Sequence, residues 1–178
     1  MRALSEEDAG YEALYRRQYP RIQRLCRLLL YDVQESEEVA QEVFLRTVRQ
    51  YRSENHPDRW DQWLTRVAVN LCHDRRRSVW WRWFRRSEQL GNQEFSNQDN
   101  HERGQSPEQE VGNREQARRI WSHFIKLSPR QREIFVLRHV EGYSTDEVAE
   151  ALGVSSGSIK RHLFRAVHQL RESIKGPS

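Results

Sequence analysis

The chain has 178 residues, of which 36% are hydrophobic and 31% charged, and its formal net charge is +4. This length suits one ordinary domain or two small ones. Because the share of apolar residues is low, they can form a core only when they are divided among amphipathic helices. No apolar run approaches the roughly 18 residues of a membrane span and no secretory leader opens the chain, so we expect a soluble, cytoplasmic protein without stable membrane insertion.

Charge is distributed unevenly along the chain. Residues 75–86 contain six Arg, whereas residues 88–110 contain six acidic residues and one Arg. This asymmetry indicates a basic nucleic-acid patch followed by an acidic tether. Cys26 and Cys72 lie within apolar helical patterns, without the paired spacing of a zinc site or a disulfide framework, so we predict two buried thiols and no bound metal.

Two helices are predicted towards the N-terminus, after a short acidic segment. Apolar residues recur at helical spacing from Tyr11 to Leu30, where Pro20 should kink or restart the helix because it lacks a backbone donor. The clearest helical period follows over residues 37–51. Four acidic or amide residues lie on its outward face, which is typical of a solvated surface but also suits a basic helical partner. They are Glu35, Glu38, Gln41 and Glu42.

A break at residues 52–59, which contains Ser53, Asn55 and Pro57, separates these helices from a third one beginning at Trp60. Its predicted inward residues are Trp63, Leu64, Val67, Ala68 and Leu71. Asn70 lies on the flank of that stripe. The arginines at 75–77 follow, a composition that also suits a helix C-terminus stabilised by cations.

An aromatic and basic run at residues 80–86 alternates Trp or Phe with Arg. Such a run can stack on unpaired bases while its cations hold phosphates, can contact a protein partner, or can anchor at a membrane interface, and the first two are favoured. Residues 90–107 contain too few apolar side chains to fold. We therefore predict an all-α protein with two small helical domains, 1–87 and 113–178, joined by a flexible acidic linker at 88–112.

The C-terminal domain is predicted to begin with two capped helices. Asn113 and Gln116 form a capping-box pattern at the start of the first. Its predicted inward residues are Ala117, Ile120, Trp121, Phe124 and Ile125. The sequence Ser-Pro-Arg-Gln at 128–131 starts the second. Its predicted core residues are Ile134, Leu137 and Val140, and Glu141–Gly142 ends it.

Residues 143–171 are predicted to form a helix-turn-helix. Ser144 and Glu147 form a capping box for a short helix, Gly153 suits the left-handed residue that ends it, and Ser155 is placed to cap a longer helix reaching about Ser173. The predicted buried stripe of that helix is Ile159, Leu163, Ala166, Leu170 and Ile174. The opposite face contains Gly157, Ser158, Lys160, Arg161, Phe164, Arg165 and His168. Small residues ahead of Arg and Lys let a helix enter the major groove, so we favour DNA recognition over an amphipathic hairpin with a solvated face.

Three stretches together resemble the extracytoplasmic-function sigma factors, the small two-domain specificity subunits of bacterial RNA polymerase. They are EVAQEVF at 38–44, WL through VAVN at 63–70 with the arginine cluster behind it, and LSP at 127–129 through FRA at 164–166. The resemblance covers about residues 11–175. It implies that the N-terminal domain melts and recognises the −10 promoter element and that the C-terminal domain recognises the −35 element. It also implies core RNA polymerase and promoter DNA as partners, and control by an anti-sigma factor.

The resemblance also implies roles for individual residues. The surface that docks on the clamp helices of the largest polymerase subunit would comprise Glu35, Glu38, Gln41 and Glu42. The −10 contacts, including a loop that captures a flipped base of the non-template strand, would be Arg52, Ser53, Asn55, Arg59, Asn70, Arg75, Arg76 and Arg77. The −35 contacts would be Ser156, Ser158, Lys160, Arg161, Phe164 and Arg165. His162, His168 and the run at 80–86 depart from the family pattern.

Two other classes of protein compete with this interpretation. A two-domain regulator with a C-terminal helix-turn-helix would need a sensory N-terminal half, which the all-helical pattern disfavours. A peripheral membrane adaptor would use the run at 80–86 and would bind liposomes without affecting transcription. No nucleophile constellation, metal cluster or phosphate loop appears in the sequence, so we expect neither an enzyme nor a protein that binds a cofactor or a small-molecule substrate.

Overall fold

The computed structural model describes the backbone of residues 6–53, 55–84 and 107–175, and the side chains of residues 8–53, 55–77 and 116–172. Within those ranges all regular structure is helical, as predicted. The helices are α1 (Glu6–Leu30), α2 (Val33–Tyr51), α3 (Trp60–Phe84), α4 (Pro107–Phe124), α5 (Pro129–His139), α6 (Thr145–Leu152) and α7 (Ser156–Lys175). The chain divides into two compact units after Leu90. Most of the predicted linker, residues 88–106, lies outside the described residues.

The first unit consists of α1, α2 and α3 packed against one another. Each helix buries one apolar stripe, and the three stripes meet in a single core. Its largest fully buried side chains are Ile22, Leu25, Leu29, Val39, Val43 and Leu64. Cys26 and Cys72 are also fully buried as free thiols, which confirms the prediction for both.

The boundaries of the first three helices differ from the sequence prediction at two points. α1 continues through Pro20 without interruption, so of the two predicted effects of this proline, a kink or a restart, the restart does not occur. Pro20 is exposed, whereas Ile22 is fully buried and Gln18 nearly so, and packing on both sides of the proline holds the helix together. α2 begins at Val33 rather than near Glu37, because Asp32 caps it by accepting a 2.8 Å hydrogen bond from the Glu35 amide.

The third helix extends beyond its arginine cluster. α3 continues to Phe84, so residues 75–77 lie in its interior and not at its C-terminus. The backbone of residues 80–84 is helical, and the side chains of the aromatic and basic run lie outside the described residues. Of the predicted inward residues of α3, Leu64, Ala68 and Leu71 are buried, while Trp63 and Val67 are half-buried.

The second unit consists of α4 to α7, and two predicted capping boxes start its helices. The Ser128 hydroxyl accepts from the Gln131 amide while the Gln131 side chain accepts from the Ser128 amide, and Ser144 and Glu147 are related in the same way. Gly153 ends α6 in the left-handed region, with φ 63° and ψ 38°, as predicted for a residue without a Cβ. The core contains Phe124, Leu127, Ile134, Leu137, Val148, Ile159, Ala166 and Leu170.

Several predictions for the second unit are wrong. α4 begins at Pro107, so Asn113 lies inside the helix and does not cap it. Residues 116–119 are all exposed, since this turn of α4 is not covered by α5–α7, and Ala117 is therefore not a core residue. Ile125 follows the end of α4 and is 40% exposed, and Val140 is the C-cap of α5 and is 39% exposed.

A buried arginine closes the turn between α4 and α5. The Arg132 guanidinium donates hydrogen bonds of 3.1 Å and 2.9 Å to the carbonyls of Ile125 and Leu127. Burial lowers the pKa of Arg132 to about 10, and the charge of Glu133 acts in the opposite direction. Two carbonyls of the turn between α4 and α5 thus obtain a charged donor, which holds this turn against α5.

Candidate nucleic-acid interface

The outward face of α7 presents cations together with one large apolar side chain. Ile159 and Ala166 are fully buried and orient the helix, which leaves Lys160, Arg161 and Arg165 exposed on the other side. Phe164 is 74% exposed, and its ring stacks on that of His168 with centroids 6.3 Å apart and planes 6° apart. Such a face can bind phosphates and guanine edges through its cations and can contact a thymine methyl group through the phenyl ring.

The turn that leads into α7 is held by side-chain hydrogen bonds. The Ser155 hydroxyl accepts from the Ser158 amide at 3.3 Å, which confirms Ser155 as the cap. Ser156 and Ser158, both predicted as DNA contacts, are half-buried. The Ser156 hydroxyl donates to an Asp146 carboxylate oxygen at 2.6 Å, so this hydroxyl is engaged within the protein. Asp146 was not predicted to belong to this site, because nine residues separate it from Ser156 and no local pattern indicates that the two are in contact.

An arginine of α5 contacts the end of α6. The Arg130 guanidinium donates to the Leu152 carbonyl at 3.2 Å and to the carboxylate of the fully buried Glu133 at 3.3 Å. These contacts tie the first helix of the helix-turn-helix to the helix before it. α7 in turn packs against α4, α5 and α6.

The loop between α2 and α3 carries several predicted contacts of the first unit. The exposed Arg52 lies 3.8 Å from the Asp8 carboxylate, and the exposed Arg59 pairs with Asp61 at 3.1 Å. The Ser53 hydroxyl donates to the Gln50 carbonyl at 2.7 Å. Gln50 in turn donates from its side-chain amide to the Asn55 backbone carbonyl, and Asn55 is exposed.

An aromatic cluster that the sequence analysis missed lies beside this loop. The His56 ring stacks on Tyr51 at 5.4 Å between centroids, and Trp60 lies within 5.9 Å of both rings. Trp63 extends the cluster at 5.7 Å from Trp60. The His56 imidazole Nε2 is 2.7 Å from the Tyr51 carbonyl oxygen. These contacts join the two ends of the loop. The sequence feature that could have indicated the cluster is the recurrence of aromatic side chains at 51, 56, 60 and 63.

The polar residues of α3 do not share one face. Asn70 and Arg77 are exposed and lie seven residues apart, which places them on the same side of the helix. Arg75 instead contacts Glu35 and Glu38 of α2, and Arg76 donates to the Leu29 carbonyl of α1 at 3.4 Å. Of the three predicted arginines, Arg77 is thus the one that faces solvent together with Asn70.

The acidic and amide residues of α2 form one continuous surface, which we call the α2 acidic surface (Glu35, Glu38, Gln41 and Glu42). Two of its carboxylates have neighbours on the same helix, since Glu38 accepts from Gln34 at 3.2 Å and Glu42 pairs with Arg46 at 2.8 Å. Leu45 lies one turn beyond Gln41 and is 59% exposed. The surface therefore combines carboxylates with an exposed aliphatic side chain.

Two kinds of site are absent from the described part of the chain. No group of three or more His, Cys, Asp or Glu side chains there could hold a metal ion. Among its helices, none is both long enough and apolar enough to span a bilayer.

Comparison with known proteins relates both units to one family. Residues 14–82 match the model of Sigma-70 region 2, and residues 119–170 match that of Sigma-70, region 4. The chain is 30% identical over 165 residues to the RNA polymerase sigma-E factor of Streptomyces coelicolor, across 92% of this chain and 85% of that protein. It is 28% identical over 156 residues to the ECF RNA polymerase sigma factor SigW of Bacillus subtilis, across 87% of this chain and 83% of that protein.

Solved structures show the same fold. The sigma factor RpoE of Bartonella quintana, determined in complex with the anti-sigma factor NepR, has a TM-score of 0.73 at 17% identity, across 95% of this chain and 99% of that chain. CnrH, determined in complex with the cytosolic domain of CnrY, has a TM-score of 0.59 at 20% identity, across 96% of this chain and 90% of that chain.

Proposed function

Because the chain belongs to the extracytoplasmic-function sigma factors, we propose that its second unit recognises the −35 promoter element and its first unit the −10 element. Members of this family bind core RNA polymerase and direct transcription initiation at specific promoters. They are DNA-binding initiation factors, and we propose that this chain carries no catalytic activity of its own. We also propose that it acts in the cytoplasm, where core polymerase and promoter DNA are found.

The observation that carries the −35 assignment is the exposed basic face of α7. Lys160, Arg161 and Arg165 project from a helix that buries Ile159, Ala166 and Leu170 on its opposite side, so the helix can enter a major groove without losing its packing. Phe164 supplies an apolar contact of the kind that distinguishes thymine by its methyl group. Ser158 lies near the N-terminal end of the helix, where a small side chain permits close approach to the DNA.

For the −10 element, we propose that the loop at 52–59 captures an unpaired base of the non-template strand. Asn55 offers an exposed amide that can both donate and accept hydrogen bonds, and the nearby rings of His56 and Trp60 can support a base by stacking. Asn70 and Arg77 would contact the strand along α3. Taking a base out of the stack costs a few kcal/mol, which these contacts can offset without ATP.

Polymerase docking is assigned to the α2 acidic surface. Carboxylates on one helix face complement a basic partner and favour its encounter with that face. Exposed ion pairs contribute little affinity by themselves, whereas an apolar side chain at the centre of an interface contributes more, so we assign Leu45 to the same contact. We further propose that an anti-sigma factor controls the chain, since two structural relatives were determined with such a partner or with a cytosolic protein domain.

Transcription in vitro tests this proposal. Core polymerase supplemented with the full chain should initiate from a subset of a random promoter library, and the selected sequences should share a −35 and a −10 element. Core polymerase alone is the control. DNA binding by the chain without polymerase-dependent initiation would favour a conventional helix-turn-helix regulator, and liposome binding without any effect on transcription would favour a membrane adaptor.

A further inference from the structure

A single guanidinium nitrogen joins α3 to two carboxylates of α2. Nη1 of Arg75 lies 2.7 Å from Oε2 of Glu35 and 2.8 Å from Oε2 of Glu38. The side chain of Arg75 is 28% exposed, compared with 25% for Glu35 and 47% for Glu38. The contact therefore lies at the edge of the helix pair, where solvent reaches Glu38 more easily than Glu35.

The arginine reduces the electrostatic repulsion between the two glutamates. They are three residues apart on one helix, so their carboxylates are neighbours that repel each other when no cation lies between them. Burial disfavours the charge on Arg75, but hydrogen bonds and charge from both glutamates prevail and raise its pKa. The three side chains carry a combined charge of −1 and hold one another in place.

We propose that Arg75 is a positioning residue of the α2 acidic surface, and that it holds Glu35 and Glu38 in the arrangement that core polymerase contacts. This inference rests on the docking function proposed above. It also removes Arg75 from the promoter strand, because a guanidinium bound to two carboxylates offers a phosphate little net attraction. Arg77, two residues further along α3 and exposed, keeps that role.

The test compares polymerase binding with strand capture for one substitution. Arg75→Gln in the full chain should weaken binding to core polymerase about two- to fivefold, the range expected for partly exposed ion pairs. At saturating polymerase, opening of a linear promoter should proceed at the parental rate, because Arg75 does not contact the strand. Arg17→Gln removes the same charge from an exposed site on α1 that belongs to neither surface, and it should bind polymerase like the parent.

A double-mutant cycle shows whether Arg75 acts through the glutamates. Glu38→Gln should weaken polymerase binding, and adding Arg75→Gln to it should weaken binding further by much less than in the parent. Arg75→Lys retains a cation and should recover part of the affinity. If Arg75→Gln melts at a lower temperature than the parent, the comparison is made with Arg75→Lys instead. Its affinity for polymerase should be intermediate between those of the parent and Arg75→Gln. Parental affinity combined with slower promoter opening in Arg75→Lys would overturn the proposal.

Two results for Arg75→Gln overturn the inference. Unchanged polymerase binding with defective opening on linear promoters would return Arg75 to the DNA strand, and tighter polymerase binding would mean that Arg75 only offsets the charge of the surface. Gln41→Ala separates the inference from the proposed function. If Gln41→Ala and Glu38→Gln weaken polymerase binding while Arg75→Gln does not, the inference alone fails, and if none of the three weakens it, the docking assignment fails as well.

Discussion

The Ser156 hydroxyl donates a 2.6 Å hydrogen bond to the Asp146 carboxylate, and this bond joins the first turn of α7 to the first turn of α6. An ionised acceptor makes the bond stronger than one between neutral groups. Ser156 was expected to contact DNA, yet its hydroxyl is engaged in a contact between the two helices of the helix-turn-helix. Its effect on promoter recognition would then be indirect.

The first prediction follows from this bond. Asp146→Ala and Ser156→Ala should each destabilise the second unit by about 0.5–1.5 kcal/mol, and together by less than the sum of the two. Affinity for −35 duplex should fall similarly on all sequences, because the helix is displaced but its base contacts are not altered. Thermal melts and binding to a panel of duplexes would measure both effects. A changed preference at one base pair in Ser156→Ala would restore Ser156 to the DNA interface.

The second prediction concerns the exposed cations of α7. Lys160→Ala and Arg165→Ala should both weaken binding to promoter duplex. A side chain that contacts a base edge should cost about 1–3 kcal/mol and relax the preference at one position, while a phosphate contact should lower affinity on every sequence and reduce the salt dependence. Arg171→Ala, exposed further along the same helix, is the matched control. Parental affinity in both variants would exclude α7 as the −35 contact.

The third prediction concerns the capping box at the start of α5. Ser128→Ala should destabilise the second unit by about 1 kcal/mol, because the Gln131 amide loses its acceptor. Ser128→Asp keeps an acceptor at the cap and should recover most of that loss. Hydrogen exchange of the α5 amides in the full chain would detect the change, and polymerase docking should be the same in all three proteins. Equal protection in Ser128→Ala and the parent would show that the cap contributes nothing.

The fourth prediction concerns promoter opening. Asn55→Ala and Asn70→Ala should leave polymerase binding and the closed complex nearly intact, because duplex docking depends mainly on phosphate charge, but opening should slow. A template with a pre-melted −10 bubble removes the unpairing cost and should recover much of the lost transcription. Permanganate footprinting on linear and bubble templates reports this directly. Variants that open linear promoters at the parental rate would show that the strand follows another path.

The fifth prediction is a pH dependence at the end of the loop. Burial alone would raise the pKa of Asp61, but the hydrogen bond and charge of Arg59 outweigh it, and the pKa lies below the usual 3.8. A carboxyl group with a lowered pKa in the folded state stabilises the fold above its unfolded pKa, and that contribution is lost as pH falls through the folded value. Arg59→Gln should therefore raise the pKa of Asp61 in an NMR titration. An identical titration midpoint in both proteins would exclude the ion pair in solution.

Local patterns in the sequence predict much of this fold. The buried stripe of α2 follows from the helical period, because burial of one helix face needs apolar residues at that spacing. In α7 the same period correctly predicts Ile159, Ala166 and Leu170, whereas Leu163 is half-buried and the side chain of Ile174 lies outside the described residues. The caps at Ser128 and Ser144 and the left-handed Gly153 follow from backbone chemistry confined to four or five residues. The same reasoning fails at Asn113, because its capping pattern is equally compatible with a helix interior. The start of α4 at Pro107 was missed although Ser-Pro-Glu-Gln at 106–109 repeats the helix-start pattern of residues 128–131, because the surrounding residues contain few apolar side chains.

The candidate sites were less predictable, because their contacts join residues distant in the chain. Arg75 is 40 residues from Glu35, and the helical period gives no information on which turn of α3 faces which turn of α2. For the same reason the aromatic contact between Tyr51 and Trp60 depends on how the intervening loop folds back. The sequence identifies the side chains of such a surface, and the packing of the helices determines which of them contact each other.

Both cysteines of the chain, Cys26 and Cys72, lie in the first unit and are fully buried there. A thiol reagent can therefore modify the native protein only when that unit opens, and the second unit has no thiol to react. The rate of alkylation under native conditions is then a direct measure of local opening in one half of the molecule. A partner that clamps the three-helix unit would slow this reaction, whereas a ligand confined to the helix-turn-helix would leave it unchanged, so the two modes of binding can be distinguished without introducing a label.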